Sequence, residues 1–224
     1  MAIKNRVIAA AILLSSSAVT FGASAVTVPL TTDFYFFGDS YRDNDRIIVN
    51  NGAGTGFEAL GFLGFDLSSF VGQDVVSATL SMQMYCQPGL SCTGDDPNST
   101  MDIAASGVGV DPASVTDDSG LAALEASIGA AADTIVANQP GIYTWDLTDL
   151  VASWLADPAS VFGIALTARG DSSPGFFNNY FYSSTGPAGT LAPTLDVTFV
   201  PVPAAVWLMG SALFGLVSVG RRRR

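Results

Sequence analysis

Short runs of β-branched and aromatic residues recur along the chain, separated by clusters of Gly, Ser, Asp, Asn and Pro. That pattern predicts strands bounded by turns. Between Ala78 and Tyr85 the apolar Leu80, Met82 and Met84 alternate with Thr79, Ser81 and Gln83, a period of two that turns one face of the strand to a core. Strands are predicted at residues 34–37, 46–49, 58–65, 75–85, 103–110, 134–137, 143–146, 162–168, 180–183 and 194–200. They lack the regular strand–helix alternation of an α/β protein, so the fold class is all-β, a two-sheet jelly-roll sandwich. Two short helices interrupt it. Leu147, Leu150, Val151, Trp154 and Leu155 fall on one helical face, with Asp146 or Thr148 as the cap and Pro158 past the end, so Trp154 is expected to point into the core. A second helix is expected at residues 120–128, behind Asp118 or Ser119.

The two ends carry a different pattern. Residues 1–25 open with Lys4 and Arg6, continue through an apolar run over 7–14 that fades toward Phe21, and finish on Ala23-Ser24-Ala25. These are the parts of a secretory signal peptide, with Ala23 and Ala25 at the positions signal peptidase reads and cleavage after Ala25. An N-terminal membrane anchor is the alternative, but Ser15, Ser16 and Ser17 interrupt a run already short for a span. The other end runs Val200-Pro201-Val202-Pro203, then 204–219 without a charge, then Gly220 and four arginines. As a transmembrane helix that stretch rises about 24 Å, slightly short of a roughly 30 Å hydrocarbon core, although the arginines can snorkel. They would stay cytoplasmic with the body outside.

Charge then narrows the function classes. The chain has 9 Lys+Arg, 20 Asp+Glu and no His. Six basic residues lie in the two ends, so residues 26–203 hold every acid against Arg42, Arg46 and Arg169 alone, a formal charge of −17. Affinity for nucleic acid comes from Lys and Arg neutralising phosphates, so nucleic acid is excluded as a partner. The lack of His removes the commonest general base and the commonest transition-metal ligand. No nucleophile elbow, Ser-His-Asp set, phosphate loop or zinc motif is present either.

The Pro-x-Pro motif, apolar helix and Arg-rich terminus together resemble the PEP-CTERM sorting signal of exopolysaccharide-producing Gram-negative bacteria, with Val202 where the eponymous motif has Glu. The resemblance covers residues 200–224. It implies recognition and cleavage by an exosortase around Val200, Pro201, Val202 and Pro203, which makes the tail a temporary membrane anchor; a permanent single-span anchor is the alternative. Three stretches of the body resemble the DNRLRE-type domain, a jelly-roll sandwich of secreted bacterial proteins related to carbohydrate-binding modules. They are Asp33-Phe34-Tyr35; Phe62-Leu63-Gly64-Phe65-Asp66-Leu67-Ser68-Ser69 with 76–80; and Trp145-Asp146-Leu147-Thr148-Asp149-Leu150-Val151 with Trp154, closing through 162–166, 182–184 and 192–195. Gly61 and Gly64 stand where that family often has basic residues, and 86–133 reads as an insertion. The expected organisation is a signal peptide over 1–25, a jelly-roll domain over 26–199 and a sorting signal over 200–224.

Cys86 and Cys92 are the only cysteines, and in an exported chain they predict a disulfide. Closing so small a loop contributes roughly 2 kcal/mol. Asp39, Asp43 and Asp45 cluster with Asn44 before a strand. Such loop oxygens suit calcium, the one candidate cofactor, but no EF-hand or glycine-aspartate repeat is present and acids simply solvated on their loops are the favoured reading. Resemblance to jelly-roll modules that hold calcium between their first and last strands nominates Asp33 and Asp196 as well. Phe177 and Tyr180, with Phe176 and Tyr182, lie in a Gly/Asn/Ser-rich stretch and offer either a sugar platform or core packing. The expectation is an exported, non-enzymatic protein of the cell surface or extracellular matrix. It passes through periplasm and inner membrane, meets signal peptidase and exosortase, and is structural or associated with exopolysaccharide. A carboxylate-based polysaccharide-active enzyme and a permanently membrane-anchored adhesin are the alternatives. Acids converging in one cleft favour the enzyme, and acids scattered over loop tips favour the matrix protein.

Overall fold

The computed structural model describes residues 23, 25–52, 58–86, 100–157, 159–160, 162–169 and 177–200. The expected signal helix, transmembrane helix and Pro201 to Pro203 motif lie outside them. Among the described residues no helix is long and apolar enough to cross a membrane. The strands are β1 (Ala25–Val28), β2 (Leu30–Phe37), β3 (Ser40–Arg42), β4 (Arg46–Asn50), β5 (Ala59–Phe65), β6 (Val75–Tyr85), β7 (Met101–Val108), β8 (Ile128–Ala137), β9 (Gly141–Asp146), β10 (Gly163–Thr167), β11 (Asn178–Tyr182) and β12 (Thr194–Phe199). Two helices, α1 (Leu121–Ser127) and α2 (Thr148–Ala156), accompany them.

The strands form a β-sandwich of two antiparallel sheets. The first has the order β1-β12-β6-β11-β4, with β9 on the other side of β6, and the second has the order β3-β2-β5-β10-β7-β8. Most connections carry the chain from one sheet to the other. An exception is the β2–β3 hairpin, where Phe37 pairs Ser40 around Gly38 at φ 54°, a conformation that glycine adopts without steric cost.

The period of two seen in the sequence is realised in β6, where Ala78, Leu80, Met82 and Met84 are all buried. Leu80 is flanked by Leu195 of β12 and Trp145 of β9. Trp145 is fully buried and its indole N–H donates to the Ile103 carbonyl of β7 at 3.0 Å, joining the two sheets through the core. By contrast β5 shows no alternation, because all seven of its residues are buried. Its outer face carries Leu60 and Phe62, which join Phe34 and Phe36 of β2 in a second core under Val115, Leu121 and Leu124. A strand covered on both faces reads as a continuous apolar run. A Cβ on Gly61 would stand 2.5 Å from Ile47 Cγ2, so the basic side chain of the resembled family has no room there.

Within the stretch that reads as an insertion relative to the resembled family, residues 100–133 supply β7, the strand between β10 and β8, and α1, which covers the second core. Alternation along Met101, Ile103 and Ala105, all buried, is what places β7 against the main core. Trp154 is buried as expected, its ring 6.2 Å from Phe162, and α2 lies close enough to β7 that a Cβ on Gly107 would meet Leu150 at 2.8 Å.

Candidate functional site

Several Asp residues sit two positions before the amide they bind. Asp66, Asp117 and Asp146 each accept the N–H of residue i+2 at 2.9–3.1 Å and its hydroxyl at 2.6 Å, the partners being Ser68, Ser119 and Thr148. Asp111 and Asp157 accept the amides of Ala113 and Ala159, both at 2.9 Å. These are Asx turns, in which a short carboxylate satisfies backbone donors where the chain turns out of one element toward the next. Hydrogen bonds from the hydroxyl and then the amide hold the Asp66, Asp117 and Asp146 carboxyls below their ordinary value of 3.8. Because the folded values are depressed, the stabilisation from these caps is complete above the unfolded value and disappears as pH falls through the folded ones. Urea midpoints are therefore expected to fall below about pH 4, and less steeply when the three aspartates are replaced by asparagine. Parallel pH profiles for the two proteins would sink this assignment.

Of the five acids nominated for calcium, Asp33 and Asp43 line one recess and the other three stand elsewhere. Asp39 occupies the β2–β3 turn, Asp45 pairs with Arg46 at 2.9 Å, and Asp43 lines a recess of about 250 Å³ with Asp33, Ser184 and Thr185. Asp33 is buried and accepts from the Ser184 amide at 2.6 Å and the Ser184 hydroxyl at 2.5 Å. Asp196 lies in the other sheet, exposed, and accepts from the Thr27 hydroxyl at 2.5 Å. Asp33 and Asp196 thus fasten different sheets to their neighbours. Among the described residues no three His, Cys, Asp or Glu come together in a group able to hold a metal ion.

The aromatic segment divides in a similar way. Tyr180 is 2 % exposed and belongs to the main core, so burial removes it from the expected sugar platform. That burial also pushes its hydroxyl pKa up, against the opposing charge of Arg46. Phe177 is half-buried, its amide bound to Asn51 at 3.2 Å. The half-buried ring pair in this region is Tyr182 stacked on Tyr85, with centroids 4.2 Å apart and planes at 15°. Cys86 directly follows β6, while its expected partner Cys92 lies outside the described residues. Of the terminal motifs, Ala23 is exposed, Ala25 begins β1, and the Val200 amide donates to the Asp74 carbonyl at 2.9 Å.

One constellation escaped the sequence analysis. The chain contains only two glutamates, Glu58 and Glu125, and both meet Arg169. The guanidinium pairs closely with Glu58 through Nε and reaches Glu125 at 2.6 Å through Nη2. Asp39, Leu60 and Leu121 complete a cavity of about 300 Å³ there. The Glu58 hydrogen bond is the main cause of the raised Arg169 pKa. The partners are 111 and 44 residues away from Arg169, and only their rarity in the composition could have singled them out.

An opening of about 800 Å³ lies between β8, the start of β6 and the first turn of α2. Asp133, Asp146 and Asp149 line it without a basic residue. Asp146 accepts the amide and hydroxyl of Thr148 at the start of α2, and Asp133 accepts the amides of Thr134 at 2.7 Å and Asp146 at 2.8 Å, so two of the three acids also serve the backbone. Fold and sites together define an acidic antiparallel β-sandwich whose carboxylates largely brace its own turns and edges. No protein-family model matches the chain, and no curated protein matches it.

Proposed function

We propose that the chain is an exported, non-enzymatic protein of the cell surface or extracellular matrix, released from a temporary anchor by an exosortase and associated with exopolysaccharide. Its sandwich is a jelly roll, a reading supported by the repeated crossing of the chain between sheets. The observation that carries the function is the dispersal of the acids: Asp66, Asp111, Asp117, Asp146 and Asp157 stand at separate turns, each already accepting from its own backbone. A glycoside hydrolase needs two carboxylates flanking one bond, one of them able to give up a proton. Two sets come near this: Glu58 and Glu125, to both of which Arg169 donates, and Asp133, Asp146 and Asp149 around the 800 Å³ opening, where Asp133 and Asp146 already accept backbone amides. A body at −17 repels an acidic polymer, so calcium acts as a bridge between surface carboxylates and polymer carboxylates. The Cys86–Cys92 disulfide belongs to the same exported form.

Recovered from its native producer, the surface-exposed protein is expected to lack Met1 and Arg224 by intact-mass analysis. It should retain an anionic polysaccharide in millimolar calcium, lose it in chelator at constant ionic strength, and release no reducing ends. Reducing ends that vanish in Glu58→Gln would establish the carboxylate enzyme instead. Equal retention in chelator would remove the calcium bridge, and an intact Arg224 would leave the permanent anchor.

A further inference from the structure

We propose that the first half of β8 is a docking edge for an extended, basic segment of a partner protein, which adds to the second sheet as a further strand. β8 ends that sheet, and among the described residues no strand pairs with its outer edge. The two halves of β8 differ. At Asp133 the carboxylate takes the amides of Thr134 and Asp146, tying β8 to β9 and closing that side of the sandwich. Before it, Gly129, Ala130, Ala131 and Ala132 are all exposed, with side chains too small to shield the backbone. Natural edges are guarded by lysine, proline, bulges or a covering loop. Within Ile128–Ala137 there is neither lysine nor proline, and the irregular pairing of this half with Ala105–Val108 of β7 is the one such device among the described residues.

The edge faces the 800 Å³ opening, across which stand Val76 and Leu150 as apolar surface and Asp146 and Asp149 as charge. Backbone groups on an open edge supply affinity without regard to sequence, and the flanking side chains select the partner. Here the selecting charges are all negative, which favours arginine or lysine on the incoming strand. A second copy is the wrong occupant, because two bodies at −17 repel each other. Strand addition at this edge does not depend on the calcium bridge.

The test uses the full-length chain and a heptapeptide alternating arginine and threonine, followed by fluorescence anisotropy and amide hydrogen exchange. Binding is expected, with exchange of the amides in 129–132 slowed about tenfold or more. Methylating alternate backbone nitrogens of the peptide should abolish binding, and Asp149→Lys should weaken it roughly fivefold. No binding, or equal binding by the methylated peptide, overturns strand addition. Equal binding by a glutamate–threonine heptapeptide overturns the charge selection. Slowed exchange in 129–132 that grows with protein concentration in the absence of peptide overturns the occupant, since it identifies a second copy on the edge.

Discussion

Trp145→Ala is expected to lower the free energy of unfolding by about 3–5 kcal/mol, read as a fall in the urea midpoint. The indole is fully buried, 6.0 Å from the Phe181 ring, and packs where β6 and β9 meet. Truncation leaves a cavity between the sheets and also removes the donor that Ile103 receives from across the core. The two losses can be separated. Trp145→Phe restores most of the apolar volume but not the N–H, so its cost should approach that of an unsatisfied buried carbonyl, about 1–3 kcal/mol. If both substitutions cost less than about 1 kcal/mol, the indole is not the link between sheets.

Trp145 also illustrates what local pattern reveals. Strands with one buried face were legible: β6 was expected at 75–85 and is Val75–Tyr85, because Leu80, Met82 and Met84 alternate with polar residues. Expected β5 at 58–65 agrees with Ala59–Phe65, yet the reason its run is unbroken was not visible, since the cover over Phe62 comes from residues around 115–124. β1 was missed because Ala25–Val28 adjoins the expected cleavage site and pairs only with distant β12. β3 is three residues, Ser-Tyr-Arg, without a pattern to read. The start of β8 contains Gly129 and three alanines, poor strand formers that pairing with β7 overrides.

The candidate sites were less legible than the strands. Clustering in sequence suggested that Asp39, Asp43 and Asp45 share a site, but β3 lies between Asp39 and the other two, and each has a different neighbourhood. Short-range chemistry was present in the spacing of Asp66 with Ser68, Asp117 with Ser119 and Asp146 with Thr148, a two-residue interval that a turn makes into a hydrogen bond. Only for Asp146 was a capping role anticipated. Meeting of Glu58, Glu125 and Arg169 depends on β5, α1 and the end of β10 being brought together by the second core, which no local spacing encodes.

That second core should outweigh the ion pairs above it. Phe62→Ala is expected to cost about 3–5 kcal/mol, because the ring is fully buried, stacked on Phe34 at 5.5 Å and edge-on to Phe36 at 6.0 Å. The loss should be uneven across the molecule. α1 rests on this core through Leu121 and Leu124, so its amides should exchange by local opening while those of β6 remain protected. Polar tethers also hold the cover: Glu125 to Arg169 at 2.6 Å, and the Tyr41 amide donating to Asp118 at 2.6 Å. Both Glu125 and Arg169 are about one-third exposed, and solvent screening limits such a pair to about 0–1 kcal/mol. Glu125→Gln should therefore leave α1 protected, and Phe62→Ala should not. The reverse order in hydrogen exchange would mean that charge, not the aromatic cluster beneath it, holds α1 on the sheet.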